Sequence, residues 1–339
     1  MGIRILGTGS YLPERVVTND DIAASLDTND EWIYSHTGIH SRHVAGEGES
    51  TSTTAAEAAR RAMTAAGVGP EEIGLIVLAT STPDYNPFPS TACVVQGLLG
   101  CKNAGAFDLQ AACAGFVYAL EQARGFVNFY PDKKALVIGA ETLTRILDWT
   151  DRSSCILFGD GAGAVVLGND EPPGVASLKT KAHTILGADG LGSHFITRTG
   201  GCKDPLPASA SGMPAKPDPI SPQLVLMGHD VFAFAVRTLS KVASDLCSKL
   251  GTTPEELDRV FAHQANGRII EAVARRMKLP LEKFWLNLAT TANTSAASIP
   301  ISLDQAVKAG ELKDGMKIVM VGFGAGLTYG GTYCIWPEL

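Results

Sequence analysis

The feature that most constrains the fold is an internal repeat, in which segments of the first half recur 183 or 184 residues later. The segment GVGPEEIGLIVLAT at 67–80 aligns with GTTPEELDRVFAHQ at 251–264, and each follows an amphipathic helical stretch. A second pair, ALVIGAE at 135–141 and IVMVGFG at 318–324, keeps nearly the same offset. Two matches at one offset predict a duplicated α/β chain with two equivalent halves, 1–171 and 172–339.

Apolar runs in both halves, together with FWLNLAT at 284–290, have the composition of buried strands. Helix and strand signals alternate along each half, so we expect largely parallel sheets with right-handed crossovers. The Gly- and Pro-rich stretch from Gly200 to Pro222 follows neither pattern, and we expect it to form a long surface loop.

The composition excludes several classes of protein. The chain has 339 residues and a net charge of −7, and its longest apolar run, 111–120, is too short for a membrane span of about 20 residues. No signal-peptide pattern is visible and the seven cysteines show no paired spacing, so we expect a cytoplasmic protein with reduced thiols. The acidic balance argues against nucleic acid as the main partner. Only 19% of residues are charged, which predicts a large core or a buried subunit interface.

Cys113 lies where a strand signal gives way to a helix signal, in DLQAACAGFVYALEQ at 108–122. The free amides and the dipole of a helix N-terminus favour a thiolate, so this position predicts a lowered thiol pKa and a nucleophile. The alanines and glycine around Cys113 leave space for a bulky acyl group. A small buried cysteine of the core is the alternative, and this segment alone does not separate the two.

The repeat places a second helix start opposite Cys113. Adding the offset gives Ala296–Ala297 within ANTSAASIP, a segment that offers Asn293 as a cap. His263 ends the repeated strand, at the sheet edge where α/β proteins place ligands, although a lone histidine there is more often structural. Cys, His and Asn converging from three strand ends would form a nucleophile with two hydrogen-bonding partners. The GFGAG segment at 322–326 would either donate amides to an oxyanion or form a tight turn.

Motifs along the whole chain resemble the β-ketoacyl-[acyl-carrier-protein] synthase III family, the initiating condensing enzymes of type II fatty acid synthesis. The motifs are GTGSYLP at 7–13, DEWIYSHTGI at 30–39, AACAGF at 111–116, FGDGAGA at 158–164, HQAN at 263–266, NTSAAS at 293–298 and FGAGLTYG at 323–330. The resemblance implies a thiolase-like fold, in which two βαβαβαββ halves form a layered αβαβα core. It also implies an acyltransferase that forms a homodimer and needs no cofactor or metal.

The resemblance implies a role for each candidate residue. Cys113 would accept the acyl group of an acyl-CoA primer, and His263 with Asn293 would support decarboxylation of malonyl-acyl carrier protein (malonyl-ACP). The backbone amides of Cys113 and Ala325 would hold the oxyanion, and the product would be 3-oxoacyl-ACP. Ala292 and Ala325 stand where the family usually has glycine, so both need backbone angles that suit a Cβ.

Contacts to the two substrates are also implied. Trp32 and Arg152 match the pair that sandwiches the CoA adenine. His36 stands where the family usually has an arginine associated with the CoA phosphates, and imidazole is a weaker, pH-dependent phosphate ligand. The carrier protein is expected to bind a segment that is followed by a basic helix face. A basic face suits an acidic partner, although the alternative is an ordinary solvated helix face. The segment comprises Gln264, Ala265, Asn266, Gly267 and Arg268, and the face continues through Arg275 and Lys278.

Several alternatives stay open at this point. Condensing enzymes of secondary metabolism, of the polyketide or quinolone type, share the Cys-His-Asn set. A cysteine hydrolase can carry the same residues in the same chain order. The FGDGAGA segment lacks the lysine of a phosphate-binding loop and is interpreted as a close-packing turn. The cluster of His36, His40 and His43 is a weak metal signal, because no Cys or carboxylate spacing accompanies it.

Overall fold

The computed structural model describes residues 3–169, 182–198 and 224–339. The predicted loop at 200–222 and the predicted boundary at 171 lie outside these residues. The strands are β1 Ile3–Tyr11, β2 Val16–Thr18, β3 Ser41–His43, β4 Ile73–Ala79, β5 Gly105–Leu109, β6 Lys134–Thr142, β7 Asp160–Asn169, β8 His183–Ala188, β9 Ile196–Arg198, β10 Leu224–Leu226, β11 Arg259–Ala262, β12 Lys317–Gly324 and β13 Thr328–Ile335. The helices are α1 Asn19–Ala23, α2 Asp30–Thr37, α3 Thr51–Ala66, α4 Thr91–Leu99, α5 Gly115–Phe129, α6 Gly228–Lys249, α7 Gly267–Met277, α8 Leu288–Thr291 and α9 Ser298–Lys308.

The main strands form two sheets with matching order, one from each half of the chain. The first sheet has the order β1-β7-β6-β4-β5. The second sheet, given in the same direction, has the order β8-β13-β12-β11, and its four strands correspond to β1, β7, β6 and β4. Val77 of β4 pairs with Val137 of β6, and Phe261 of β11 pairs with Met320 of β12, in both cases in parallel. These two pairs are related by the repeat offset. The duplication is confirmed, and β1-α3-β4-α4-β5-α5-β6-β7 shows the predicted βαβαβαββ order.

The expectation of largely parallel sheets is wrong. β7 runs antiparallel to β6 and β1, and β13 runs antiparallel to β12 and β8. The physical reason is that β12 turns directly into β13 and β6 reaches β7 without a crossover helix, so each chain segment returns alongside its predecessor. FGDGAGA is likewise mostly strand rather than turn, although its close packing is confirmed: a Cβ on Gly163 would lie 2.6 Å from the Ile301 nitrogen of α9.

The strand predicted at 284–290 does not form. Phe284 makes only an isolated bridge to Val260, and α8 begins at Leu288. The buried side chain of Gln264 supplies the hydrogen bonds that a neighbouring strand would otherwise provide. Its Nε2 donates to the Trp285 carbonyl at 3.0 Å, and its Oε1 accepts from the Asn287 amide at 3.4 Å.

The helices lie in three layers around the two sheets. α5 and α9 are the central layer: α5 contacts β4, β6 and β12, and α9 contacts β1, β7 and β11. α3 and α4 cover the outer face of the first sheet, while α6 and α7 cover the outer face of the second. This arrangement is the predicted αβαβα core. No helix of the described segments is long and apolar enough to cross a membrane.

Glycines in the central strands let each half support the helix start of the other half. A Cβ on Gly139 of β6 would lie 2.3 Å from the Ala296 carbonyl oxygen, and a Cβ on Gly322 of β12 would lie 3.3 Å from the Cys113 carbonyl oxygen. Gly139 and Gly322 are equivalent in the repeat, and so are Cys113 and Ala296. The turns that precede α5 and α9 are therefore held in contact with each other.

Candidate active site

A cavity of about 1340 Å³ lies where the starts of α5 and α9 meet. Its walls include Cys113, His263 and Asn293, the three residues that the sequence predicts to act together. The turn at Ala325 between β12 and β13 also lines the cavity. The structure thus brings one nucleophile and two hydrogen-bonding side chains into a single space.

Cys113 lies in a 3₁₀ turn, Ala112–Ala114, immediately before α5. Ala112 has a φ of 45°, in the left-handed region, and this residue turns the chain sharply into the helix. Cys113 is partly exposed to the cavity, yet burial raises the pKa of its thiol to about 12 despite the opposing effect of the Ser295 side chain. The expected low thiol pKa is wrong for the resting protein, because desolvation outweighs the contributions of Ser295 and the backbone that lower the pKa.

His263 follows β11 and is 1% exposed. Its Nδ1 lies 2.7 Å from the Ser298 hydroxyl oxygen, and its ring meets Phe323 edge-on with centroids 5.6 Å apart. Burial lowers the pKa of His263 to about 3, so the imidazole is neutral near pH 7. A neutral imidazole can donate one hydrogen bond into the cavity without adding a charge.

Asn293 is held on three sides by the backbone. Its Oδ1 accepts from the amide of Ser295, the first residue of the 3₁₀ turn before α9, at 2.9 Å. Its own amide donates to the Leu157 carbonyl, and its carbonyl accepts from the Gly159 amide. Because Oδ1 is occupied, the Nδ2 amide is the end that can donate to a ligand.

Ala292 and Ala325, which stand where the family usually has glycine, differ in backbone conformation. Ala292 has φ 54° and ψ −163°, a left-handed conformation that strains any residue with a Cβ. Ala325 is not among the residues with positive φ, so its Cβ is accommodated. The neighbouring Gly324 packs on the nucleophile, since a Cβ there would lie 2.5 Å from the Cys113 nitrogen. The Ala325 turn therefore borders the backbone amide of Cys113.

The sequence reasoning missed a buried acid beside Cys113. Glu141, the penultimate residue of β6, is 0% exposed and accepts hydrogen bonds from the Ser81 amide and, at 2.6 Å, from the Thr82 hydroxyl. Burial raises the pKa of Glu141 to about 7, and the nearby Ser295 side chain has the opposite, smaller effect on the pKa of both this carboxyl and Cys113. One carboxylate near the carboxyl end of an otherwise apolar strand is the sequence signal that could have identified it.

The three residues expected at CoA lie together on the cavity wall. The Arg152 guanidinium carbon is 4.5 Å from the centroid of the Trp32 ring, and the His36 ring stacks on Trp32 at 4.2 Å. His36 Nδ1 lies 2.7 Å from the Trp32 carbonyl and donates to it. Since Trp32 and Arg152 touch, an adenine would have to separate them in order to lie between them.

Two of the five residues in the segment expected at the carrier protein are buried. Gln264 is 0% exposed and Ala265 is buried as well, so neither offers side-chain surface to a protein partner. Asn266 caps α7 and donates to the His36 carbonyl, and Gly267 packs against Thr37 and Gly38. Arg268 is the exposed member of the segment, and its Nε donates to the Ser35 carbonyl at 2.9 Å.

The three clustered histidines have separate partners. His36 stacks on Trp32, His40 lies 2.9 Å from Asp30, and His43 Nδ1 lies 2.6 Å from the Pro13 carbonyl. In the described part of the chain, no group of three metal-ligating side chains is brought together. The six cysteines in those residues are all free.

Comparison with known proteins matches these features to one family. Residues 107–185 match the family 3-oxoacyl-[acyl-carrier-protein (ACP)] synthase III, and residues 247–336 match its C-terminal domain. The chain is 45% identical over 337 residues to the β-ketoacyl-[acyl-carrier-protein] synthase III of Caldanaerobacter subterraneus subsp. tengcongensis, covering 98% of both chains.

Solved structures extend the match to the whole fold. The Aquifex aeolicus 3-oxoacyl-[acyl-carrier-protein] synthase III superposes with a TM-score of 0.87 at 41% identity, over 99% of this chain and 100% of that one. A priming β-ketosynthase of a polyketide biosynthetic pathway superposes with a TM-score of 0.87 at 36% identity, over 99% and 96%. The thiolase-like fold is confirmed, and the chain belongs to the β-ketoacyl-[acyl-carrier-protein] synthase III family of condensing acyltransferases.

Proposed function

We propose that the protein condenses an acyl-CoA primer with malonyl-ACP, with loss of carbon dioxide, to give 3-oxoacyl-ACP and so initiate fatty acid synthesis. The observation that carries the proposal is the convergence of Cys113, His263 and Asn293 on one cavity between two equivalent helix starts. The relatives named as synthases of this type agree with it.

In the first half-reaction the Cys113 sulfur attacks the thioester carbonyl of acyl-CoA, and the bond from that carbon to the CoA sulfur breaks. The amides of Cys113 and Ala325 hold the negative oxygen of the intermediate. Because the thiol is neutral at rest, its proton leaves as the new bond forms and ends on the CoA thiolate. His263 is a poor base for this proton, since its pKa is about 3.

In the second half-reaction malonyl-ACP enters and its carbon–carboxylate bond breaks to release carbon dioxide. The enolate oxygen accepts hydrogen bonds from Asn293 Nδ2 and His263 Nε2, which need only be donors. The enolate carbon attacks the acyl carbonyl, the bond to the Cys113 sulfur breaks, and the thiolate takes a proton from solvent. Two covalent half-reactions predict ping-pong kinetics.

Mass spectrometry of the acyl-enzyme tests this function. A panel of acyl-CoAs should acylate the wild-type protein on Cys113 and leave Cys113→Ala unmodified. His263→Ala and Asn293→Ala should keep acylation and lose decarboxylation of malonyl-ACP. Acylation of Cys113→Ala, or steady thioester hydrolysis without 3-oxoacyl-ACP, would contradict the proposal and favour a hydrolase.

The proposal includes a homodimer in the cytoplasm, where free thiols persist. β5 ends the order of the first sheet, and Phe107 on this strand is 41% exposed. An edge strand with an exposed apolar side chain is a surface on which a second chain can pair. Sedimentation should give twice the chain mass of 35.6 kDa, and Phe107→Lys should shift the population toward monomer.

Priming of polyketide synthesis is the second candidate, favoured by the similarity to the polyketide priming β-ketosynthase. Both functions use the same acyl-Cys chemistry and differ in the carrier protein. Steady-state kinetics with malonyl groups on a fatty-acid ACP and on a polyketide ACP separate them. A higher kcat/KM with the fatty-acid ACP supports the first function, and the reverse supports the second.

A further inference from the structure

The position of one proton on His263 decides what this residue can do. A neutral imidazole carries its proton on Nδ1 or on Nε2, so only one of the two nitrogens can donate. Nδ1 faces Ser298, and Nε2 is the nitrogen left for the cavity that His263 lines. Stabilising an enolate from the cavity side requires the proton on Nε2.

Ser298 has a single hydroxyl proton and two acceptors within reach. His263 Nδ1 lies 2.7 Å from the Ser298 hydroxyl oxygen, and the Ser295 carbonyl oxygen lies 2.9 Å from it. If the hydroxyl donates to Ser295, it must accept the proton of Nδ1, and Nε2 is then a bare acceptor. If it donates to Nδ1, the imidazole proton stays on Nε2.

The surrounding hydrogen bonds favour donation to His263. The Ser295 carbonyl already accepts from the Ser298 backbone amide, so it does not depend on the hydroxyl. The Gln264 amide donates to the Ser298 oxygen at 3.4 Å, which occupies one of its lone pairs. Ser298 and His263 are 2% and 1% exposed, so solvent does not compete for either group.

We propose that the Ser298 hydroxyl donates to His263 Nδ1 and thereby keeps the imidazole proton on Nε2, pointing at the enolate oxygen of the second half-reaction. Ser298 is then a positioning residue, and the inference rests on the proposed function. Gly115, the first residue of α5, stands at the equivalent position one repeat offset away, so only the helix start beside His263 carries this hydroxyl.

Nitrogen NMR of the resting protein tests the proton position without any substrate. In protein labelled with ¹⁵N-histidine, with the signals assigned by comparison with His263→Gln, we expect His263 Nε2 to be protonated and Nδ1 to be unprotonated. Ser298→Ala should shift this balance toward protonated Nδ1. A protonated Nδ1 in the wild-type protein, or a balance that Ser298→Ala leaves unchanged, would overturn the inference.

Kinetics of the separate half-reactions test the consequence. Ser298→Ala should acylate Cys113 at a rate within about twofold of wild type, while malonyl-ACP decarboxylation falls about tenfold or more, in kcat rather than in KM. Ser298→Thr keeps the hydroxyl and should recover most of the rate, which separates proton placement from a folding defect. Equal losses in both half-reactions, with no recovery in Ser298→Thr, would contradict the assignment.

Ser302→Ala is the matched control for these measurements. Ser302 is 0% exposed on the same helix, one turn further along, and its hydroxyl has no hydrogen-bond partner in the described structure. Its removal should leave the NMR signals and both half-reactions unchanged. If the wild-type protein makes no 3-oxoacyl-ACP, the proposed function fails, whereas the NMR result still stands by itself.

Discussion

Burial disfavours the charged forms of Cys113, Glu141 and His263. Burial raises the pKa of the Cys113 thiol to about 12 and that of Glu141 to about 7, and it lowers that of His263 to about 3. Near pH 7 the thiol and the imidazole are therefore neutral, and Glu141 is the group that begins to carry a negative charge. In the proposed mechanism, nucleophilic attack then depends on stabilising charge as it develops, which is the role proposed for the backbone amides at Cys113 and Ala325.

Replacing Glu141 should make Cys113 more reactive. After burial, the charge of Glu141 is a further cause that raises the thiol pKa, so Glu141→Gln should move the titration of the thiol to lower pH. Alkylation by iodoacetamide, followed by mass spectrometry from pH 7 to 10, should be faster in Glu141→Gln at each pH. Glu121→Gln is the control, since Glu121 pairs with Arg124 at 2.8 Å on α5. Identical pH profiles for wild type and Glu141→Gln would refute the coupling.

At the residue scale, the sequence predicts which residues line the candidate site better than it predicts their surroundings and pKa values. The repeat and the motifs locate Cys113, His263 and Asn293, because residue type and position in a strand or helix are legible in one dimension. The shift in the pKa of Cys113 is predicted with the wrong sign, since it depends first on burial and then on the charge of Glu141, and only the fold creates both. Ser298 is missed for the same reason: its partner His263 lies 35 residues away.

Ala292, in the turn between α8 and Asn293, has a strained backbone conformation, and we expect its replacement by glycine to be tolerated. Ala292 has a φ of 54°, which costs about 1–3 kcal/mol for a residue with a Cβ. Ala292→Gly relieves this strain but loses a buried methyl group. Ala59→Gly, in the middle of α3 and equally buried, loses the methyl with no strain to relieve. Urea unfolding should show Ala292→Gly to be more stable than Ala59→Gly by at least about 1 kcal/mol. Equal losses would show that Ala292 is unstrained.

Helix α7 presents the basic face expected to meet the carrier protein. Ile269, Val273 and Met277 are buried, which leaves Arg268, Arg275 and Lys278 on the exposed side. Arg268→Glu should raise the KM for malonyl-ACP severalfold and leave acylation by acyl-CoA unchanged, because none of these three basic side chains lines the cavity. Arg60→Glu, on the outer helix α3, is the charge-matched control and should change neither. Equal losses in both half-reactions would argue for a structural role of the Arg268 contact with Ser35.

The strand predicted at 284–290 does not form, and the reason is one that the hydrophobic pattern of the sequence cannot show. The segment has the aromatic and apolar composition of a strand, and Phe284 does bridge to Val260. Beyond this bridge, the buried amide of Gln264 binds the backbone at Trp285 and Asn287 in place of a ladder. A side chain that replaces a strand partner leaves no period-two signal. This structural use also explains why Gln264 is not available to a carrier protein.

At the scale of the whole molecule, the duplication is what the sequence predicts best. Alignment of the two halves predicts paired helix starts, and the contacts of Gly139 and Gly322 with the opposite helix start confirm the pairing. The low charge content fits two sheets with helices packed between them. The antiparallel strands β7 and β13 are not predicted, because strand direction depends on the path of the connection and not on the composition of the strand.

The buried His263 should make the stability of the whole fold depend on pH. Its pKa is about 3 in the folded state and about 6.5 in the unfolded chain. As the pH falls below 6.5, the unfolded chain binds a proton that the folded protein does not, so stability is lost progressively down to pH 3. The full loss is on the order of 5 kcal/mol.

The difference between wild type and His263→Gln isolates this contribution. Other titrating groups are common to both proteins, so the stability of wild type relative to His263→Gln should fall as the pH is lowered from 7 to 4. Urea unfolding at pH 7, 6, 5 and 4 measures this difference. His194→Gln removes an exposed histidine and should show a much flatter difference curve. A His263→Gln curve that stays parallel to wild type over this range would mean that His263 takes up its proton in the folded state, and the neutral-donor role of His263 would fail with it.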